Sequence, residues 1–324
     1  MLVTICLFVG IMFLVVGTSI MIEGLKDLSN RLHNSTLATG LTVIAFATSI
    51  PELLVSIRAI IKGYNDIVIF NVIGSNIINI LLILSIVSFI KPLKLTTTVI
   101  KKELPLSIMT AALFIILSLD DLISPSKSNI LTRSDALVLV LFFIVYLYYM
   151  YTIIKNRREF KTYEDPKYSK RYALILSILG FAMVFVGSIF TVDMAYKIST
   201  YGVSLKLISA SLIAFATSIP ELITCYHFMK NNDEDAIIGN ILGSNIFNIC
   251  ITLAIPVIIV GKLNMSSLSV IDAFNFITAT IILIIFAPIR NKIGKFESII
   301  MMTLLLIYYG FILWEGMSLW NLKN

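Results

Sequence analysis

A ten-residue segment, IAFATSIPEL, occurs twice without change in this chain, at 44–53 and at 213–222. Each copy carries one carboxylate, Glu52 or Glu221, inside an apolar run that is long enough to cross a lipid bilayer. A charged side chain at that depth costs free energy, so it is usually retained where it faces a partner or an ion pathway. The repeat therefore predicts two membrane-embedded carboxylates in equivalent positions of two halves.

The composition excludes a soluble globular protein. Of 324 residues, 58% are hydrophobic and 14% are charged, and the mean hydropathy is +0.96. A soluble domain could not hide so much apolar surface. Since a membrane helix takes about 20 apolar residues, we predict an all-α polytopic membrane protein with ten transmembrane helices. The predicted spans are approximately 2–21, 37–60, 67–90, 103–119, 134–154, 172–192, 205–229, 236–260, 268–288 and 298–320.

A second pair of segments extends the duplication. NVIGSNIINI at 71–80 corresponds to NILGSNIFNI at 240–249, with seven of ten positions identical and the same offset of 169 residues. Five predicted spans precede the polar stretch 155–171 and five follow it. Because five is odd, the second half must enter the membrane upside down. We therefore predict two inverted five-helix repeats, 1–154 and 172–324, joined by a basic linker.

The distribution of positive charge predicts the orientation. Loops on the side of the linker contain 17 Lys and Arg, and the opposite side, which carries both termini, contains 8. Positive residues collect on the cytoplasmic side, so we predict a cytoplasmic linker and extracellular termini in a multi-pass protein of the plasma membrane. This asymmetry and anionic lipid headgroups account for the net charge of +6. We predict no nucleic-acid partner, and no obligatory protein partner is implied.

Two prolines, Pro51 and Pro220, are predicted to break their helices and to leave backbone carbonyls without helical hydrogen bonds. Pro51 and Pro220 have no N–H, so the carbonyls of Ala47 and Ala216 lose their usual donors. At membrane depth such a carbonyl must be satisfied by protein, by water or by a cation. A carbonyl oxygen is a good ligand for a hard cation.

The two motifs also gather oxygen-bearing side chains at helical spacing, since residues four apart share one helix face. The candidates are Thr48, Ser49, Glu52, Ser75 and Asn79, with their counterparts Thr217, Ser218, Glu221, Ser244 and Asn248. Together with the freed carbonyls they predict an all-oxygen cage that contains two carboxylates. Such a cage suits Ca²⁺, and its smaller sites suit Na⁺.

The other acidic residues lie in loops or near span ends, where a solvated charge is the default expectation. They include Asp27, Asp193, Asp272 and Glu297. The histidines, His33 and His227, are interpreted as interfacial residues. The three cysteines have no paired or metal-ligand spacing, and we interpret them as small buried hydrophobic residues.

The duplicated A-T-S-I-P-E and G-S-N-I-x-N segments resemble the two alpha-repeats of the sodium/calcium exchanger family, within the cation/calcium antiporter superfamily. The chain has no large domain between its halves, and in this it resembles the compact prokaryotic members of the family. The resemblance implies an antiporter rather than an enzyme, without a cofactor, that exchanges one Ca²⁺ for about three Na⁺ by alternating access.

The resemblance also assigns roles to residues. Glu52 and Glu221 would bind both ions, and Thr48 and Thr217 would offer backbone carbonyls to Ca²⁺. Two flanking Na⁺ sites would be lined by Ala47, Ser49, Glu52 and Ser75 in one half and by Ala216, Thr217, Ser218, Glu221 and Ser244 in the other. Asn79 and Asn248 would complete the centre as polar residues.

Three departures from the family pattern limit this assignment. The family commonly has Gly at the positions of Ala47 and Ala216. Phe70 stands where the second half has Gly239, which predicts entrances of different width. Potassium-dependent exchangers carry an Asp in one G-S-N-I-x-N/D segment, whereas both segments end in Asn here, which argues against potassium co-transport.

The charge of the cage leaves the coupling ion open. Two carboxylates carry a charge of −2, which one Ca²⁺ or two protons neutralise, whereas three Na⁺ leave an excess of +1 in a low-dielectric site. A Ca²⁺/H⁺ antiporter of the same fold is therefore the main alternative. A membrane-embedded enzyme or channel is a remote one, since the chain shows no nucleophile–base pair, no HExxH motif and no selectivity-filter repeat.

Glycines predict which spans move. Gly10 and Gly17 lie in the first span, and Gly180 and Gly187 lie in the sixth. Both spans carry few polar groups, so we expect them to slide past a fixed core formed by spans 2, 3, 7 and 8.

Overall fold

The computed structural model describes residues 2–31, 44–97, 99–123, 128–156, 167–290 and 292–321, and within them the protein is nearly all helical. Residues 37–43 of the predicted second span, His33 and most of the linker lie outside these ranges.

The helices follow one another with short connections. The first half contains α1 (Leu2–Asn30), α2 (44–48, then Ile50–Ile61), α3 (Asn65–Ile90), α4 (99–118), α5 (Asp120–Ile123) and α6 (Arg133–Asn156). The second half contains α7 (Lys170–Ser199), α8 (Leu205–Lys230, broken at Ser218), α9 (Glu234–Val260), α10 (Val270–Arg290) and α11 (Lys295–Asn321). Single π-helical stretches occur at Asn79–Leu84 in α3, Val99–Glu103 in α4, Ser209–Ile213 in α8 and Asn248–Thr252 in α9.

Within the described ranges, four short strands pair across the two halves. Strand β1 (Leu93–Lys94) lies antiparallel to β4 (Lys292–Ile293), and β2 (Ile130–Thr132) lies antiparallel to β3 (Lys262–Asn264). Each pair therefore joins a loop of the first half to a loop of the second half.

Seven of the described helices are long and apolar enough to cross a membrane, namely α1, α3, α6, α7, α8, α9 and α11. The three other predicted spans fall on α2, α4 and α10, and α10 contains a shorter apolar stretch, Val270–Phe286. A multi-span, nearly all-helical membrane protein is thus confirmed. The count of ten spans stays a prediction.

The most buried helices are those that carry the second motif. In α3, 94% of the apolar 18-residue stretch that could cross a membrane is buried. The corresponding share is 72% in α9, 33% in α1 and 28% in α7. The outer helices instead expose large apolar side chains such as Phe8 and Phe181. Such surfaces suit contact with lipid, so α3 and α9 form the centre of the protein.

Helices α1 and α7 pack antiparallel and very closely through glycines. A Cβ atom added at Gly17 would lie 2.9 Å from the carbonyl oxygen of Gly180, and one added at Gly187 would lie 2.8 Å from that of Gly10. Any side chain at these positions would push the helices apart. The two helices predicted to move therefore form one closely packed pair.

The expectation that all remaining acids are solvated is wrong for Asp272. This residue, at the start of α10, is fully buried, and Asp27 and Glu297 are nearly so. Lys206 Nζ lies 2.7 Å from Asp272 Oδ2 and 2.6 Å from Glu315 Oε2. A buried carboxylate is tolerated when a cation and donors compensate it, so this cluster ties α8, α10 and α11 together at one end.

We expect Gly17→Leu to destabilise the protein, because overpacking at a close helix contact typically costs about 1–3 kcal/mol. Thermal unfolding of the purified protein in detergent measures this loss. Gly310→Leu is the matched control, because no atom lies within 4 Å of a Cβ added there. Equal melting temperatures for Gly17→Leu and the wild type would contradict the close contact between α1 and α7.

Candidate cation-binding site

The two copies of IAFATSIPEL fold into the same local structure, a helix that breaks one residue after the threonine. Ser49 has φ −90° and ψ 5°, and Ser218 has φ −86° and ψ 0°. Pro51 and Pro220 occupy the first turn of the helical segments that follow, where a missing N–H is tolerated. The breaks that the prolines predict are therefore present in α2 and α8.

The hydroxyl groups converge on the carbonyl of Ala45, two residues before the predicted Ala47. Ala45 O accepts hydrogen bonds from Thr48 Oγ1 (2.9 Å), from Ser49 Oγ (3.3 Å) and from Ser244 Oγ (3.2 Å). The last of these donors belongs to the other half of the chain. Ala47, which the proline argument selects, is buried beside this group, and its role as a ligand stays a prediction.

Hydroxyl groups of the two halves meet in equivalent pairs. Thr48 Oγ1 lies 3.5 Å from Ser244 Oγ, and Thr217 Oγ1 lies 3.4 Å from Ser75 Oγ. Each pair joins the threonine of a first motif to the serine of a second motif in the other half. The cluster is consequently built by both copies together.

The two glutamates lie inside this cluster. Glu52 and Glu221 are fully buried, and they are close enough for their charges to interact. Ser49 Oγ donates to Glu221 Oε1 (3.1 Å), while Glu221 Oε2 and both carboxylate oxygens of Glu52 have no hydrogen-bond partner among the described residues. Buried oxygens of this kind are costly unless a cation or a proton satisfies them.

All predicted ligand residues are at most 3% exposed: Ala47, Thr48, Ser49, Glu52, Ser75, Asn79, Ala216, Thr217, Ser218, Glu221, Ser244 and Asn248. The two asparagines bond outside the hydroxyl cluster. Asn79 Nδ2 donates to Asn245 Oδ1 (2.9 Å), and Asn248 Oδ1 accepts from Thr252 Oγ1 (3.4 Å). Asn79 Oδ1 and Ser218 Oγ have no hydrogen-bond partner within the described ranges, so both remain available as acceptors.

Sequence reasoning missed three residues that hold the cluster: Ala45, Asn71 and Asn245. Asn71 Nδ2 donates to the backbone oxygen of Glu52 (3.1 Å), and Asn245 Nδ2 donates to that of Asn76 (3.3 Å). The sequence could have indicated the two asparagines, because both lie in the duplicated second motif inside otherwise apolar spans.

A cavity of about 650 Å³ reaches one of the broken helices from the side of the linker. It is lined by Glu23 and Asp27 of α1, by Pro220, Thr224 and His227 of α8, and by Tyr168. Pro220, the residue that directly precedes Glu221 in the chain, forms part of the cavity wall.

At the first broken helix, α2, an ion pair to α7 occupies the place that corresponds to this cavity. Arg58 Nη2 of α2 lies 2.6 Å from Asp193 Oδ2 of α7. The rings of Tyr64 and Tyr196 stack beside this ion pair with centroids 4.1 Å apart. The two halves thus differ in how their broken helix meets the neighbouring outer helix.

These features define a class, the polytopic membrane transporters whose interior site is shared by two related halves. The family model of the sodium/calcium exchanger protein matches residues 2–152 and 172–314. The chain therefore belongs to the sodium/calcium exchanger family, as the duplicated motifs predict.

Individual relatives match over most of their length. An uncharacterized membrane protein of Methanocaldococcus jannaschii is 31% identical over 301 residues, covering 92% of this chain and 94% of its own. The sodium/calcium exchanger MaX1 of Methanosarcina acetivorans is 25% identical over 332 residues, covering 91% and 94%. A solved structure of the sodium-calcium exchanger NCX_Mj, soaked with Na⁺ and Sr²⁺, has a TM-score of 0.68 at 28% identity and covers 96% of this chain and 98% of that chain.

Because two buried carboxylates repel each other, we expect Glu52→Gln to raise the melting temperature of the protein in choline buffer without divalent cations. A gain of about 1 kcal/mol corresponds to a shift of roughly 2–4 °C in a domain of moderate size. The same variant should lose the stabilisation that Ca²⁺ gives the wild type. Asp66→Asn, in the first turn of α3, is the control. A lower melting temperature for Glu52→Gln than for the wild type in choline would argue against the repulsion.

Proposed function

We propose that the protein is a secondary active antiporter that exchanges Ca²⁺ for Na⁺ across the plasma membrane by alternating access. The observation that carries this proposal is the pair of fully buried carboxylates, Glu52 and Glu221, in one oxygen cluster built by both halves. The names of MaX1 and NCX_Mj, which match nearly the whole chain, support the same exchange.

The donor set supports a hard cation as the transported substrate. Carboxylate, hydroxyl, amide and carbonyl oxygens are the ligands that Ca²⁺ takes in sites of six to eight oxygens. In this proposal Glu52 and Glu221 bind Ca²⁺ with the backbone carbonyls of Thr48 and Thr217. The serines and alanines at the two breaks line Na⁺ sites on either side, and Ala45 O adds an acceptor on which three hydroxyls already converge.

The second candidate is a Ca²⁺/H⁺ antiporter of the same fold. Three of the four carboxylate oxygens of the pair have no hydrogen-bond donor within the described residues, and a proton on each glutamate would remove both the charge and the repulsion. Three Na⁺ per Ca²⁺, the stoichiometry that the family resemblance implies, would instead leave one excess positive charge. The cluster therefore supports Ca²⁺ as the substrate more strongly than it supports either coupling ion.

We further propose that the halves, 1–154 and 172–324, are inverted repeats joined by the linker 155–171. Matching element bounds support this: Ile50–Ile61 and Asn65–Ile78 recur 169 residues later as Ile219–Lys230 and Glu234–Phe247. The antiparallel packing of α1 against α7 also supports it, because equivalent helices of inverted repeats run in opposite directions. The strands fit the same relation: β3 and β4 of the second half correspond to β1 and β2 of the first, so the pair β1–β4 corresponds to the pair β3–β2.

In this proposal the linker faces the cytoplasm and both termini face outward, so the cavity beside Glu221 is the cytoplasmic access route. The pair α1 and α7 would slide along the core to close this cavity and open the opposite side. The Arg58–Asp193 ion pair and the Tyr64–Tyr196 stack join the core to α7 on the side opposite the cavity. Opening that side requires both contacts to break.

We expect Glu52→Gln and Glu221→Gln to abolish Ca²⁺ uptake, by at least about 100-fold, because each removes a charged ligand that no neighbour replaces. Asn79→Ala should weaken uptake only partly, since it removes one neutral ligand. Radiolabelled Ca²⁺ uptake into proteoliposomes measures both effects, with Asp66→Asn as the matched carboxylate control.

The same assay separates the coupling ions. Vesicles loaded with Na⁺ are compared with choline-loaded vesicles that have an outward proton gradient. Uptake driven only by Na⁺ supports the sodium/calcium exchange, and uptake driven only by protons supports the second candidate. Undiminished flux through either Gln variant would falsify the role of the glutamates, and flux without any counter-ion gradient would indicate a channel.

We expect Arg58→Ala to shift the protein away from the state in which the cavity is open, because it weakens the contact that closes the opposite side. Labelling of Ile223→Cys, a cavity position, by a membrane-impermeant thiol reagent from the linker side should slow about two- to tenfold. The double change Arg58→Asp with Asp193→Arg should restore the rate, and Lys62→Ala, an exposed neighbour, should leave it unchanged. An unaltered labelling rate in Arg58→Ala would reject the gating role.

A further inference from the structure

One asparagine outside the predicted ligand set links the two halves of the cluster. Asn71 of α3 is fully buried. Its Nδ2 donates to the backbone oxygen of Glu52 (3.1 Å) and to Ser56 Oγ (3.1 Å), and its Oδ1 accepts from Thr217 Oγ1 (3.4 Å). A single side chain thus connects the broken helix α2 of the first half to the threonine of the broken helix α8.

The equivalent residue in the second half is held differently. Asn240 lies 169 residues after Asn71 and is also buried, but its Nδ2 meets Cys225 Sγ at 3.6 Å, where the first half offers the Ser56 hydroxyl. Asn240 Oδ1 has no hydrogen-bond partner among the described residues. Thiol sulfur is a weak acceptor, so the second asparagine is held by weaker bonds than the first.

We propose that Asn71 is a positioning residue for the cation cluster and that the Ser56/Cys225 difference makes the two halves of the cluster unequal. This inference rests on the proposed function, since it concerns the order of the cation ligands. Asn71 holds the backbone oxygen of Glu52 and contacts the Thr217 hydroxyl before a cation arrives. Within the described residues, Asn240 makes no such bond to Glu221 or to Thr48.

The physical reason lies in the cost of ordering. A ligand that is already fixed loses less conformational freedom on binding, so the same contacts yield a higher affinity. The Thr217 hydroxyl has two acceptors, Asn71 Oδ1 (3.4 Å) and Ala214 O (3.3 Å), and donation to either one keeps its lone pairs for a cation. The half that Asn71 holds should therefore bind a hard monovalent cation such as Na⁺ more tightly than the half that Asn240 holds.

The chain supplies its own matched variants, because Ser56 and Cys225 occupy equivalent positions. Ser56→Cys gives the first half the acceptor of the second, and Cys225→Ser does the reverse. Hydrogen–deuterium exchange of the cation-free protein in choline buffer should become several-fold faster over 50–56 in Ser56→Cys. Exchange over 219–225 should become several-fold slower in Cys225→Ser. Asn71→Ala should accelerate exchange over 50–56 more than Ser56→Cys does.

A second measurement separates positioning from a general structural role. The half-saturating Na⁺ concentration, read from NaCl titrations of the melting temperature against choline chloride, should rise about threefold in Ser56→Cys and fall in Cys225→Ser. A purely structural role would lower the melting temperature without moving these concentrations in opposite directions.

The outcomes distinguish the two proposals. Unchanged exchange over 50–56 in both Asn71→Ala and Ser56→Cys overturns the positioning role. Half-saturating Na⁺ concentrations that move in the same direction in Ser56→Cys and in Cys225→Ser overturn the inequality of the halves. A wild-type protein that responds to neither Na⁺ nor Ca²⁺, with exchange shifting as expected, would reject the proposed function and leave the positioning role of Asn71 supported.

Discussion

The electrostatic repulsion between two buried carboxylates constrains the rest of the structure. Glu52 and Glu221 are both removed from water, and three of their four oxygens accept no hydrogen bond within the described part of the chain. No local change in either helix relieves this cost, because each carboxylate faces the other half. Positive charge inside the cluster, from a cation or from protons, offsets this cost, and a protein that admits a cation there also needs a route for it.

The broken helices and the exchange of partners between halves follow from this constraint. A break in α2 and in α8 turns backbone and hydroxyl oxygens toward the same volume, which an unbroken helix would keep within its own bonds. Thr48 then meets Ser244, and Thr217 meets Ser75. Each pair joins a residue of one half to a residue of the other, so the cluster also holds the halves together at their most buried helices, α3 and α9.

The sequence predicted the features that are local or duplicated, and it failed where partners are distant in the chain. The proline positions predicted the helix breaks, and repetition predicted which residues lie together. The role of Ala47, which the proline argument selected, stays a prediction. The sequence did not point to Ala45, on whose carbonyl the donors converge because Ser244 reaches it from the other half. Asp272 could not be predicted as buried, since its partner Lys206 lies 66 residues away and is brought near only by packing.

The two sides of the protein differ although the ten-residue segments at the two helix breaks are identical. The broken helices α2 and α8 both contact the pair α1 and α7, whose own helices pack closely through glycines. On one side the contact is made by Arg58 with Asp193, and on the other a cavity remains beside His227 and Glu23. In the proposed mechanism these two contacts exchange, and the identical sequences at the two breaks keep the change in internal packing small. A bound cation would then select between two arrangements of similar free energy, so the repeat would account for both the site and its access.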